Sequence, residues 1–162
     1  MTYRILIPLD GSVCGEHALR EGVALARRLN AEVTLLHVLH PEQSRVSPRP
    51  AEQPGPPDAP AARRMLTQAA ETAYAEGVVA QTRLVENPQV HPVEAILEAE
   101  AAHDLTVLAT HARRGLEHLV LGSVTEAVLR RSDKPHLVVN GALARRRGPK
   151  RARVPAAEPS PA

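Results

Sequence analysis

Alternation restricts the fold of this chain more than any other feature. Five short aliphatic runs are separated by stretches whose apolar residues recur at helical spacing. The first run, Arg4 to Leu9 (RILIPL), reads as a buried strand ending at Asp10-Gly11-Ser12. Gly15 to Leu29 then places Ala18, Leu19, Val23, Ala26 and Leu29 on one helical face, and Asn30 ends that helix. Glu32 to Val38 (EVTLLHV) makes a second strand. A second helix runs from about Ala61 to Ala75 and is stopped by Gly77, before a third strand from Val78 to Glu86. Pro92 opens a third helix, PVEAILEAEAAH, at the first-turn position where proline is tolerated. A fourth strand follows from Leu105 to Ala109, then a fourth helix from about Val124 to Arg131. Lys134-Pro135 leads into a fifth strand, His136 to Val139, ending near Asn140. Strands and helices in strict alternation imply a parallel sheet, and right-handed crossovers put helices on both of its faces. The expected class is α/β, doubly wound; periodicity alone does not order the strands.

Composition agrees with that architecture. The chain has 162 residues, the size of one domain, with no Phe, no Trp and two Tyr. Its core is therefore built from Leu, Val, Ile and Ala, which let helix and sheet backbones approach closely. The scarcity of aromatics argues against the base stacking used by readers of single-stranded nucleic acid. Cys14, the single cysteine, excludes an intramolecular disulfide framework and fits a reducing compartment. It reads as a small apolar filler or as a thiol activated by a helix start. The opening MTYRILIPL is too short for a signal peptide, and no apolar run approaches a membrane span. A cytoplasmic protein is expected.

Two segments break the alternation. The stretch from Leu39 to Pro60 is proline-rich without an apolar face, and reads as a mobile loop at about 40–60, either a plain insertion or a lid. The end of the chain carries Arg145, Arg146, Arg147, Lys150, Arg151 and Arg153 against Glu158. That net of +5 exceeds the whole chain's +2, so the remainder is acidic at −3. The expected organisation is a domain over 1–141 and a disordered basic tail over 142–162. The tail is either a solvated extension or a weak, non-specific contact for nucleic acid or an acidic partner.

In an open parallel sheet, ligands bind outside the carboxyl ends of the strands where strand order reverses. Two strand ends carry unusual chemistry. One is Asp10-Gly11-Ser12, a carboxylate and a glycine turn entering a helix; the other is the polar, basic segment from Thr110 to Ser123 entering the fourth helix. A helix start offers unpaired N–H groups and a positive dipole end to a phosphate. Gly122 permits close backbone approach, and the Ser123 and Thr125 hydroxyls are candidate phosphate donors. Ser123 has the alternative role of helix N-cap. Among the histidines, His37 and His40 flank the end of the second strand, while His111 and His118 lie before the fourth helix. None belongs to a metal-ligand pattern, and surface or capping roles are expected for those other than His111.

The segments ILIPLDGSVCGEHALREGVALARRLNAEVTLLHV and THARRGLEHLVLGSVTEAVLRRSDKPHLVV together resemble the universal stress protein family over about residues 3–140. The resemblance implies a Rossmann-like five-stranded parallel sheet ordered 3-2-1-4-5, with strands one and four at the switch point. It also implies a site for ATP, or for AMP or ADP, with Mg2+ entering only with the nucleotide. The family's Gly-x2-Gly-x9-Gly-Ser/Thr motif matches Ala109, Ala112 and Gly122-Ser123, so the spacing is kept while both early glycines are alanine. Alanine suits a strand end at 109. At 112 it costs about 1–2 kcal/mol if a left-handed backbone is needed, roughly tenfold in affinity. Arg113 and Arg114 in the same segment are either solvated loop residues or partners for phosphate that would offset this cost, and His111 is a further contact or loop-stabilising residue. Asp10, with the Gly11-Ser12 turn, meets the ribose or adenine side. Pro8, Val38 and Leu108 line the adenine slot, and Ser123, Val124 and Thr125 meet the phosphates.

Three functions compete on these residues. The first is a nucleotide-binding stress-response regulator, and the second is the same fold without ligand, acting as a dimeric adaptor. The third, a weak phosphohydrolase using Asp10, lacks a second acid or metal partner and has no Gly-x4-Gly-Lys-Ser/Thr loop. The chain is therefore expected not to be an enzyme. The resemblance also implies a homodimer through the last strand, His136, Leu137, Val138 and Val139, an edge with unpaired backbone groups.

Overall fold

The computed structural model describes residues 2–40, 58–110 and 121–140. Their elements run β1 (Arg4–Pro8), α1 (Val13–Leu29), β2 (Glu32–Val38), α2 (Ala59–Ala75), β3 (Ala80–Val85), α3 (Pro92–Glu100), β4 (Leu105–Thr110), α4 (Ser123–Arg131) and β5 (His136–Asn140). The five strands form one sheet in the order β3-β2-β1-β4-β5, with every neighbouring pair parallel. The expected class and order are thus found. The chain winds outward through β2 and β3, then returns past β1 to β4 and β5, which makes β1 and β4 the switch point.

Alternate strand residues feed two cores. Ile5, Ile7, Val33, Leu35, Val107 and Val139 pack under α1 and α2. Leu6, Leu36, Val38 and Leu108 pack under α3 and α4 with Val93, Ile96 and Val128. Each such side chain contributes about 1.5–3 kcal/mol when fully buried. Of the α1 face read from the sequence, Ala18, Leu19, Val23 and Ala26 are buried, but Leu29 is 48% exposed. It ends the helix at the left-handed Asn30 (φ 50°), where the chain turns away toward β2.

Local chemistry sets the helix starts. Ser12 caps α1 by accepting from the Gly15 N–H, and Asp58 caps α2 by accepting from Ala61, which starts α2 two residues before the expected Ala61. Each such cap contributes about 1 kcal/mol. The third helix stops at Glu100 rather than continuing to His103, whose N–H instead turns back to the Glu100 carbonyl. On the outer surface, Arg131 holds Glu94 through both guanidinium nitrogens at 2.6 and 3.1 Å. The hydrogen bond and charge of Arg131 keep the Glu94 carboxyl below the usual glutamate range. The loop at 41–57 and the tail from 141 onward, for which mobility was expected, lie outside the described residues. No helix among the described residues is long and apolar enough to cross a membrane.

Candidate functional site

The carboxyl ends of β1 and β4 lie side by side at the switch point, and each leads into a helix. After β1 the chain makes a tight turn through Gly11, whose φ of 75° suits glycine. The Asp10 carboxylate Oδ1 accepts from the Ser12 N–H at 2.9 Å and from the Ser12 hydroxyl at 2.6 Å. Ser12 Oγ in turn accepts from the Gly15 N–H at 3.0 Å. A methyl at Gly15 would stand 2.8 Å from Asp10 Oδ1, so the glycine leaves room for the carboxylate over the first turn of α1.

The turn is also tied to β2. The Leu9 N–H donates to the Leu36 carbonyl at 2.8 Å, and the Leu9 carbonyl is met at 2.6 Å by His37 Nδ1. His37 is 1% exposed, which corrects the expectation of a surface or capping role. β2 is covered on both faces, so a residue in its last turn is buried whichever way it points. His136 departs from that expectation as well, since its Nε2 meets the buried Glu100 Oε1 at 2.7 Å. His103 keeps a capping role: its Nδ1 meets the Ala99 carbonyl in the last turn of α3 at 2.7 Å, while its Nε2 reaches Thr34 Oγ1 at 2.9 Å. His91 does cap α3, accepting from the Val93 N–H.

On the β4 side, Ala109 lies within the strand in ordinary extended backbone, the conformation in which alanine costs little. Its carbonyl accepts from the Thr125 hydroxyl at 2.8 Å, a bond that hooks the first turn of α4 onto the end of β4. Thr125 is buried, and its single hydroxyl proton is committed to the protein. The N-cap of α4 is Gly122, with no side-chain cap hydrogen bond, and not Ser123. The Glu126 N–H already bonds the Gly122 carbonyl, so the helix starts one residue early and Ser123 is its exposed first residue. The other three helices are capped by side chains, Ser12, Asp58 and His91. Among the described residues, no side chain caps the start of α4, the positive end of that helix.

Val38 and Leu108, both buried, belong to one apolar cluster, with Val124 packed against it. Pro8 ends β1 at half-burial. His111, Ala112, Arg113 and Arg114 lie outside the described residues. Sequence reasoning did not find the parts played by Gly15 and His37. The signal for His37 was a histidine in the middle of LLHV, a strand apolar on both faces.

The sequence profile of the Universal stress protein family matches residues 1–140. The chain belongs to that family. A curated relative, universal stress protein MJ0531 of Methanocaldococcus jannaschii, is 30% identical over 150 residues, spanning 84% of this chain and 81% of the relative. Among solved structures, a universal stress protein in complex with cAMP superposes with a TM-score of 0.62 at 25% identity, covering 86% of this chain and 98% of its own. A universal stress protein from Archaeoglobus fulgidus shares the fold with a TM-score of 0.64 at 21% identity, over 86% and 94% of the two chains. In this universal stress protein the switch point thus carries a braced carboxylate turn on one side and an uncapped helix start on the other.

Proposed function

We propose that this universal stress protein binds an adenine nucleotide, ATP or its relatives AMP and ADP, between the ends of β1 and β4 and acts as a stress-response regulatory module. The uncapped start of α4 at the switch point carries this reading. Gly122, Ser123 and Val124 offer backbone donors and one exposed hydroxyl to a phosphate. The 25%-identical universal stress protein that holds cAMP supports the same ligand class. Asp10 takes the ribose or adenine side, and Pro8, Val38 and Leu108 the base. Mg2+ enters only with the nucleotide.

The module is a switch rather than an enzyme. Asp10 Oδ1 already accepts two hydrogen bonds from Ser12, and a carboxylate oxygen held in this way is a weakened nucleophile. Occupancy acts on a homodimer formed through β5, and a cytoplasmic setting fits the single cysteine. One observation favours the alternative, a dimeric adaptor without ligand: the Thr125 hydroxyl is spent on the Ala109 carbonyl.

The test is a calorimetric titration of ATP and AMP into nucleotide-stripped protein, with Ser123→Ala alongside. Binding that weakens about tenfold in the variant is the expected result. No heat and no thermal shift at millimolar ATP would overturn the nucleotide reading and leave the adaptor.

A further inference from the structure

The geometry points to His37 as the positioning residue of this site: its Nδ1–H holds the Leu9 carbonyl and thereby sets the Asp10–Ser12 turn. The inference rests on the nucleotide reading for its effect on affinity, but not for its structural content.

A carbonyl oxygen only accepts, so the 2.6 Å contact requires the proton on His37 Nδ1. Of the two neutral tautomers, only the one with its proton on Nδ1 can make this contact. The far nitrogen, Nε2, is buried and has no hydrogen-bond partner among the described residues. The ring therefore makes one hydrogen bond and leaves one buried polar atom unpaired, a poor exchange for stability alone. What it achieves is placement. Leu9 is the residue before Asp10, and its N–H and carbonyl are both held by β2, through Leu36 and His37. With Leu9 pinned at both backbone groups, the left-handed Gly11 and the Asp10–Ser12–Gly15 chain of hydrogen bonds start from a fixed point. The orientation of the Asp10 carboxylate follows from β2, not from α1 alone. His37 touches no ligand itself; it acts through the turn.

Two variants separate placement from packing. His37→Asn keeps an N–H donor at the position of Nδ1, while His37→Leu keeps apolar bulk and loses the donor. ATP is titrated calorimetrically into wild type and both variants, each also melted thermally. The expected result is affinity within about threefold of wild type for Asn and a loss of at least about tenfold for Leu, with the Leu melting temperature close to wild type. Equal affinity in all three proteins would overturn the inference, as would equal losses in both variants or a Leu loss that simply tracks unfolding. In parallel, 15N NMR of the wild-type imidazole reads the tautomer without any substitution. A proton on Nδ1 is expected, and a proton on Nε2 with none on Nδ1 would overturn the proposal. If wild type binds no nucleotide, the nucleotide reading fails separately. The positioning role is then decided by the amide shifts of residues 10–15, which should move in Leu and stay in Asn; the absence of that contrast would overturn it.

Discussion

At Gly15 one methyl group decides whether the Asp10 carboxylate keeps its place. An added Cβ would sit 2.8 Å from Asp10 Oδ1 and 3.6 Å from Ser12 Oγ, too close for the first of these without movement of the turn. Alanine is otherwise favoured in a helix by about 1 kcal/mol over glycine. Gly15→Ala should therefore leave the melting temperature nearly unchanged and lower nucleotide affinity by roughly an order of magnitude, read by titration and thermal melting together. At this scale the sequence was partly legible. Asp10-Gly11-Ser12 announces a turn into a helix because each residue type has a local reason to be there. Gly15 and His37 have none: what they do depends on a carboxylate folding back over one and a neighbouring strand's carbonyl reaching the other.

Between elements, the C-terminal end of α3 is joined to the start of β5 by a buried polar contact. Glu100 is 2% exposed and accepts from His136 Nε2 at 2.7 Å, while Glu100 Oε2 and the nearby strand residue Thr106 keep buried oxygens without partners. Removing one side of such a contact strands the other in the core. Glu100→Leu should destabilise the fold by about 3 kcal/mol, measured by denaturant unfolding, and the double variant with His136→Leu should recover much of that loss. Helix and strand identities were legible in sequence because apolar periods differ between 3.6 and 2. Boundaries were less so. Asp58 captured two more residues for α2, and Gly122 rather than Ser123 became the cap of α4, because cap geometry is settled by hydrogen bonds that periodicity does not record.

The whole sheet has two open edges of different character. β3 turns Gln81, Thr82 and Arg83 to solvent, and Arg83 is paired with Glu98 at 3.0 Å, a polar edge of the kind that discourages pairing. β5 is half-buried along His136, Leu137 and Val138. The Pro135 carbonyl accepts from the Thr106 N–H, so by strand alternation Val138 directs its own N–H away from β4. Val138→Pro therefore removes an outward donor without breaking the ladder to β4. The dimer proposed through this edge should become a monomer in light scattering after size-exclusion chromatography, with the circular dichroism spectrum retained; a wild-type monomer at high concentration would overturn the dimer. Local pattern by itself determined the alternation of strands and helices, the aliphatic core and the polar strand ends, since these are properties of neighbouring residues. The order of the strands came from likeness to a family. Only the tertiary structure decided that Thr125 closes onto Ala109, that the start of α4 has no side-chain cap, and that His37 reaches from β2 to the Leu9 carbonyl to brace the turn after β1. Each of those depends on which groups meet after distant segments pack, and no local pattern contains that information.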